Sequence, residues 1–209
     1  MSLDRRELPE HHLKYEIDMF FFGAKTLIDL GKSEKNTIEE IYLKNSRLES
    51  YLIHLRNIKD FLWDSPNLRY PNDILADTFC SSSCNRHSSG EVDLVAGLDI
   101  SKLDTRINKQ ISHLTKQRTS KKDEQMEWNI KKITCDIAGY LLEYMAKCDK
   151  MDTEYRKSIK NEISDFKNHY CGISGNSYCE FSSAISTTSV SVTIPFSSSL
   201  VFQNLSSIL

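Results

Sequence analysis

Apolar positions recur at three- and four-residue intervals along most of the chain before Cys171, and that period predicts helices. Leu13, Ile17, Phe20, Phe21, Ala24, Leu27 and Ile28 form the first stripe. It predicts a helix from Pro9 to Leu30, with Pro9 suited to the first turn and Gly31 as the stop. A second stripe joins Ile41, Leu48, Leu52, Leu55 and Leu62, widened by Tyr51, Ile58 and Phe61. It predicts a helix beginning after Asn36 or Thr37, either a good N-cap, with Glu39 and Glu40 favourably placed in its first turn. It ends near Trp63, before the Ser65-Pro66 break. The pattern then weakens from Ser65 to Gly97, which reads as a long loop with a helical turn around Asp73–Phe79. A third helix is predicted from Ser101 to Gln117, a fourth from Gln125 to Lys147 and a more polar fifth from Asp152 to Tyr170.

After Cys171 the composition changes. From Gly172 to Leu209 Glu180 is the one charged residue, serine dominates, and Val190, Val192, Ile194 and Phe196 alternate with small polar residues. That is a strand period interrupted by Pro195. The expected architecture is all-α: a four-to-five-helix bundle over 1–171, with a long loop between helices 2 and 3. A Ser-rich, weakly β-patterned tail over 172–209 is expected to be disordered or loosely docked.

Composition narrows the class. The chain has 209 residues, 39% apolar and 27% charged, with a formal net charge of −2. This is globular composition and large enough for a core, and it excludes a globally basic nucleic-acid binder while allowing a local basic groove. MSLDRRELPEHH has no apolar run behind its arginines, and no apolar stretch is long enough for a membrane span. No secretory leader and no membrane association are therefore expected. The six cysteines, 80, 84, 135, 148, 171 and 179, show no tight framework and read as reduced thiols of a cytoplasmic protein.

The segment LDTRINKQISHL, Leu103 to Leu114, carries the strongest candidate chemistry. Arg106 and His113 are seven residues apart, two helical turns, so their side chains share a face. Lys102, Lys109 and Lys116 fall on the same stripe, while Leu103, Ile107, Ile111 and Leu114 form an apolar one. An accessible imidazole can move protons near neutral pH, and a guanidinium can clamp a phosphate bidentately. RNA supplies its own nucleophile, the 2′-hydroxyl. A proton acceptor, a charge clamp and alignment then suffice for cleavage without a metal or cofactor. The competing reading is a solvated helix face with a structural histidine.

A helical bundle carrying Arg106-x6-His113 late in its sequence resembles the HEPN superfamily. Its members include metal-independent RNases of toxin–antitoxin and defence systems as well as non-catalytic relatives. The resemblance covers about residues 9–150 by architecture. It implies a nuclease role for Arg106 and His113 and a homodimer that brings two copies together. The family usually has a polar residue directly after the arginine. Here that position is Ile107, and Asn108, one residue later, is the candidate orienting group.

Other constellations are weaker. His54 and Asn57 lie near the edge of the second helix's apolar face and are candidates to complete the pocket opposite Arg106 and His113. A core-edge histidine satisfied by a nearby carboxylate is the competing reading. Cys80-x3-Cys84-x2-His87 has spacing that zinc allows but lacks an obvious fourth ligand, so no metal site is expected. Three consecutive aromatics, Phe20, Phe21 and Phe22, cannot all face one way, and one of them is expected to meet a partner subunit or the tail. Two functions stay open: an RNA-binding protein that can act as an endoribonuclease, or a non-catalytic helical interaction module with a protein partner.

Overall fold

The computed structural model describes residues 9–32, 37–64, 74–82, 84, 93–111 and 128–172. Among them are five α-helices: α1 (Pro9–Gly31), α2 (Ile38–Trp63), α3 (Ile100–Ile111), α4 (Ile130–Lys147) and α5 (Thr153–Phe166). A 3₁₀ turn, Ala76–Phe79, follows α2, and a π-helical turn, Lys167–Cys171, extends α5. The expected all-α class holds for these residues. The tail from 173, His113, Lys116, His87 and the expected start of the fourth helix at Gln125 lie outside the described residues.

Local chemistry sets the helix starts. Thr37 caps α2 by accepting the Glu40 amide at 3.3 Å, and Asn129 caps α4 by accepting the Lys132 amide at 3.0 Å. Asp152 caps α5 through the amides of Glu154 and Tyr155, at 3.0 and 3.2 Å.

The core is built on the pairing of α1 with α2, on which α4 and α5 pack. Gly23 lets the two backbones approach, since a Cβ there would stand 3.3 Å from Tyr51 Cβ. Phe20 stacks on Tyr51 with centroids 5.1 Å apart, and the buried Tyr51 hydroxyl meets Thr134 Oγ1 of α4 at 2.9 Å. Phe21 packs on Phe166 of α5. Phe22, the third of the aromatic run, is exposed, with the Arg47 guanidinium 5.8 Å from its ring.

The long connection contains a feature the residue pattern does not announce. Leu94–Val95 (β1) and Leu98–Asp99 (β2) form a short antiparallel hairpin, Leu94 opposite Asp99 and Val95 opposite Leu98. Ala96 and Gly97 turn it with φ of 54° and 77°, the left-handed pair of a tight two-residue hairpin. Three contacts hold it. The Ala96 amide donates to Asp136 Oδ2 (2.7 Å), the Tyr140 hydroxyl to the Leu94 carbonyl (3.0 Å), and Trp63 Nε1 to Asp93 Oδ2 (2.6 Å). α3 follows directly, so the hairpin sets where α3 begins.

The cysteine expectation is corrected. Cys80 is joined to Cys84, and Cys135 of α4 to Cys171 at the end of the π-turn, with Cα–Cα separations of 6.4 and 5.9 Å, both within disulfide reach. Among the described residues Cys148 is a free, buried thiol. Cys135 and Cys171 meet because α5 runs back along α4, a tertiary event that spacing cannot reveal. The pairings remove the cysteine argument for a cytoplasmic location and withdraw Cys80 and Cys84 from any zinc arrangement as thiolates. No helix among the described residues is long and apolar enough to cross a membrane.

Candidate nucleic-acid interface

α3 opens on Asp99, whose carboxylate accepts the Ser101 amide at 2.7 Å. Hydrogen bonds from the Ser101 hydroxyl and amide hold that carboxyl below its ordinary pKa. Leu103 and Ile107 are fully buried, while Lys102 and Lys109 are exposed on the other side of the helix. The two stripes expected from the sequence are thus present as far as Ile111.

Arg106 lies between Lys102 and Lys109 but behaves differently from them. It sits on the flank of the apolar stripe, half-buried, with its guanidinium carbon 4.3 Å from the centroid of the Trp128 ring. That is a cation–π contact. Burial pushes the guanidinium pKa below its ordinary value, and it keeps its charge at neutral pH. Trp128 is almost completely buried, and among the described residues its indole Nε1 has no hydrogen-bond partner. The predicted fourth helix, Gln125 to Lys147, spans Trp128. Instead Trp128 precedes the Asn129 cap and forms the platform under Arg106. A lone tryptophan ahead of a capping asparagine was the only available signal.

α3 is tied to α2 by a charge cluster. Lys59 Nζ reaches Asp60 at 3.0 Å, Asp64 at 3.1 Å and Asp104 of α3 at 3.6 Å. Burial by itself would lower the Lys59 pKa, but the three carboxylates outweigh it and the net shift is upward.

Helical geometry separates the other candidates. Asn108 follows Arg106 by about 200° around α3. It therefore shares a flank with Asp104, and within one chain it does not stand beside Arg106 to orient its ligand. His54 lies about 140° around α2 from Lys59, and its partner is α1. His54 Nδ1 and Asn57 Nδ2 both meet Glu16 Oε2, at 2.7 and 2.9 Å. The pairing of His54 and Asn57 with the α3 stripe is thus replaced by a network with Glu16. Glu16 was not singled out in the sequence because one carboxylate on an amphipathic helix carries no signal until its partner helix is docked.

Compared with known proteins, the chain matches no family model, no curated protein and no solved structure.

Proposed function

We propose that this chain is a HEPN-like RNA-binding protein that engages the phosphate backbone through the basic face of α3. One observation carries the reading. Lys102 and Lys109 stand exposed on either side of an Arg106 whose guanidinium carbon lies 4.3 Å from the centre of the Trp128 ring. Two exposed cations flanking one half-buried planar cation suit a polyanion, with the lysines steering and the arginine fixing a phosphate. In this reading His113, on the same stripe by spacing, is the general acid or base that makes the protein a metal-independent endoribonuclease, Lys116 extends the contact, and a homodimer supplies the second Arg–His pair.

A second reading is a non-catalytic helical interaction module. It draws on the exposed Ile38, Tyr42 and Leu43 near the start of α2, since clustered exposed apolar side chains mark contact surfaces.

The test is incubation of the full chain with a mixed RNA pool in EDTA. The nuclease reading expects products ending in 2′,3′-cyclic phosphate, abolished in folded Arg106→Ala and His113→Ala variants. RNA binding without cleavage reduces the proposal to its binding half. Absence of RNA binding leaves the interaction module.

A further inference from the structure

A cleft of about 180 Å³ opens between α1 and α2. It lies on the flank of α2 away from Lys59 and takes no part in the RNA-binding proposal. Ile58, Phe61 and Ile74 make its apolar walls, and His12, Glu16 and Asn57 its polar one. The polar wall is built rather than incidental. A carboxylate can only accept, so both hydrogen bonds to Glu16 Oε2 are donated to it, by His54 Nδ1 at 2.7 Å and by the Asn57 amide at 2.9 Å. His54 is largely buried behind Glu16 and stays out of the cleft lining. Two donors from α2 therefore lock one oxygen of an α1 carboxylate. The same bonds orient Asn57 with its NH₂ group toward Glu16, which leaves the Asn57 carbonyl oxygen and Glu16 Oε1 as acceptors. Among the described residues neither oxygen has a further partner.

A polar wall that offers two acceptor oxygens, from Glu16 and Asn57, together with the His12 imidazole, which can accept or donate, stands opposite the apolar walls and defines a complementary ligand. It must donate at two neighbouring points, carry positive charge to match Glu16, and bring a compact apolar body. We propose that this cleft binds an amidinium or guanidinium group carried on a small apolar framework. The planar fork places parallel N–H groups on the Glu16 and Asn57 oxygens, and the framework lies against Phe61, Ile58 and Ile74. A ligand of this size binds in the millimolar range.

Benzamidine is the probe, with benzyl alcohol as the uncharged control of similar body, each titrated into the ¹⁵N-labelled full chain. The expected result is saturable shifts of the amides around Glu16, Asn57 and Ile74, with benzyl alcohol weaker by about tenfold or more. Glu16→Gln weakens benzamidine by a similar factor. Because that variant also alters the partner of His54, Ile74→Trp, which fills the cleft from its apolar side, is tested beside it. A folded Ile74→Trp protein is expected to lose binding. No saturable shift at these positions, equal binding of benzyl alcohol, or unchanged affinity in either folded variant overturns the proposal. RNA binding is not used as a readout, so failure here is separate from failure of the α3 reading.

Discussion

The guanidinium of Arg106 lies 4.3 Å over the ring of Trp128. The contact joins α3 to the residue just before the α4 cap, across a stretch of sequence that separates them by 22 positions. It fixes an arginine that would otherwise sample many rotamers beside its two lysine neighbours. The same contact gives Trp128, a buried ring, a role in both packing and charge placement.

Trp128→Ala is expected to destabilise the protein by about 3–5 kcal/mol, the range for deleting a large buried aromatic. Trp128→Phe keeps a ring under the guanidinium and is expected to cost clearly less. Urea denaturation of both variants measures this, and a loss below about 1 kcal/mol for the alanine variant would contradict the packing described.

If α3 contacts single-stranded RNA through its lysines, the double substitution Lys102→Ala/Lys109→Ala lowers the slope of log affinity against log salt by about 1.4, or about 0.7 per lost phosphate contact. Fluorescence anisotropy over a salt series reads the slope directly. An unchanged slope would place the RNA contact elsewhere.

Lys59 joins α2 to Asp104 of α3 while also facing Asp60 and Asp64. Its raised pKa adds stability that is complete below the unfolded value of about 10.4 and is lost as pH rises through the higher folded value. The wild type should therefore lose stability above that pH, and Lys59→Met should lose less over the same window. Lys59→Met leaves three carboxylates together, which adds an expected cost of about 1–3 kcal/mol at neutral pH. Equilibrium unfolding as a function of pH decides both points, and a neutral-pH loss near zero would show that the cluster contributes little.

The Cys135–Cys171 bond closes a loop with a sequence separation of 36. Cys171→Ser is expected to cost about 2–4 kcal/mol. Peptide mapping without reductant should recover the Cys135 and Cys171 peptides as one species. Recovery of both as alkylated single peptides from carefully non-reduced protein would refute the pairing.

Cys148 is enclosed, and burial pushes its thiol up to about 11. In the unfolded chain a thiol ionises near about 8.5. Ionisation therefore favours unfolding as pH rises from that value toward about 11, and the effect is present in the wild type and absent in Cys148→Ala. At pH 8 iodoacetamide should modify Cys148 slowly in native protein and quickly in urea, as followed by mass spectrometry. Equal rates in the two states would rule out the burial.

The helices were legible because their causes are local. Pro9, Thr37, the 3.6-residue apolar period and the Ser65-Pro66 break each act within a turn or two, and α1 and α2 match the expectation at both ends to within a residue or so. The stripes of α3 were legible for the same reason: Leu103 and Ile107 turn inward and Lys102 and Lys109 outward.

What depends on how helices dock was not legible. The hairpin at Leu94–Asp99 is too short to show a period, and its turn places Ala96 in a conformation usually left to glycine or asparagine; contacts from Asp136, Tyr140 and Trp63 hold it. The pairing of Cys135 with Cys171 follows from the chain reversal between α4 and α5.

The sequence by itself determined the helices, their inward faces and the basic stripe on α3, because periodicity, capping and breaking are interactions between near neighbours. Only the tertiary structure decided the partners. It put Arg106 on Trp128 and Lys59 on Asp104, and it turned His54 and Asn57 to Glu16 instead of toward α3. Those choices are made by the rotation and packing of whole helices, which no single segment encodes.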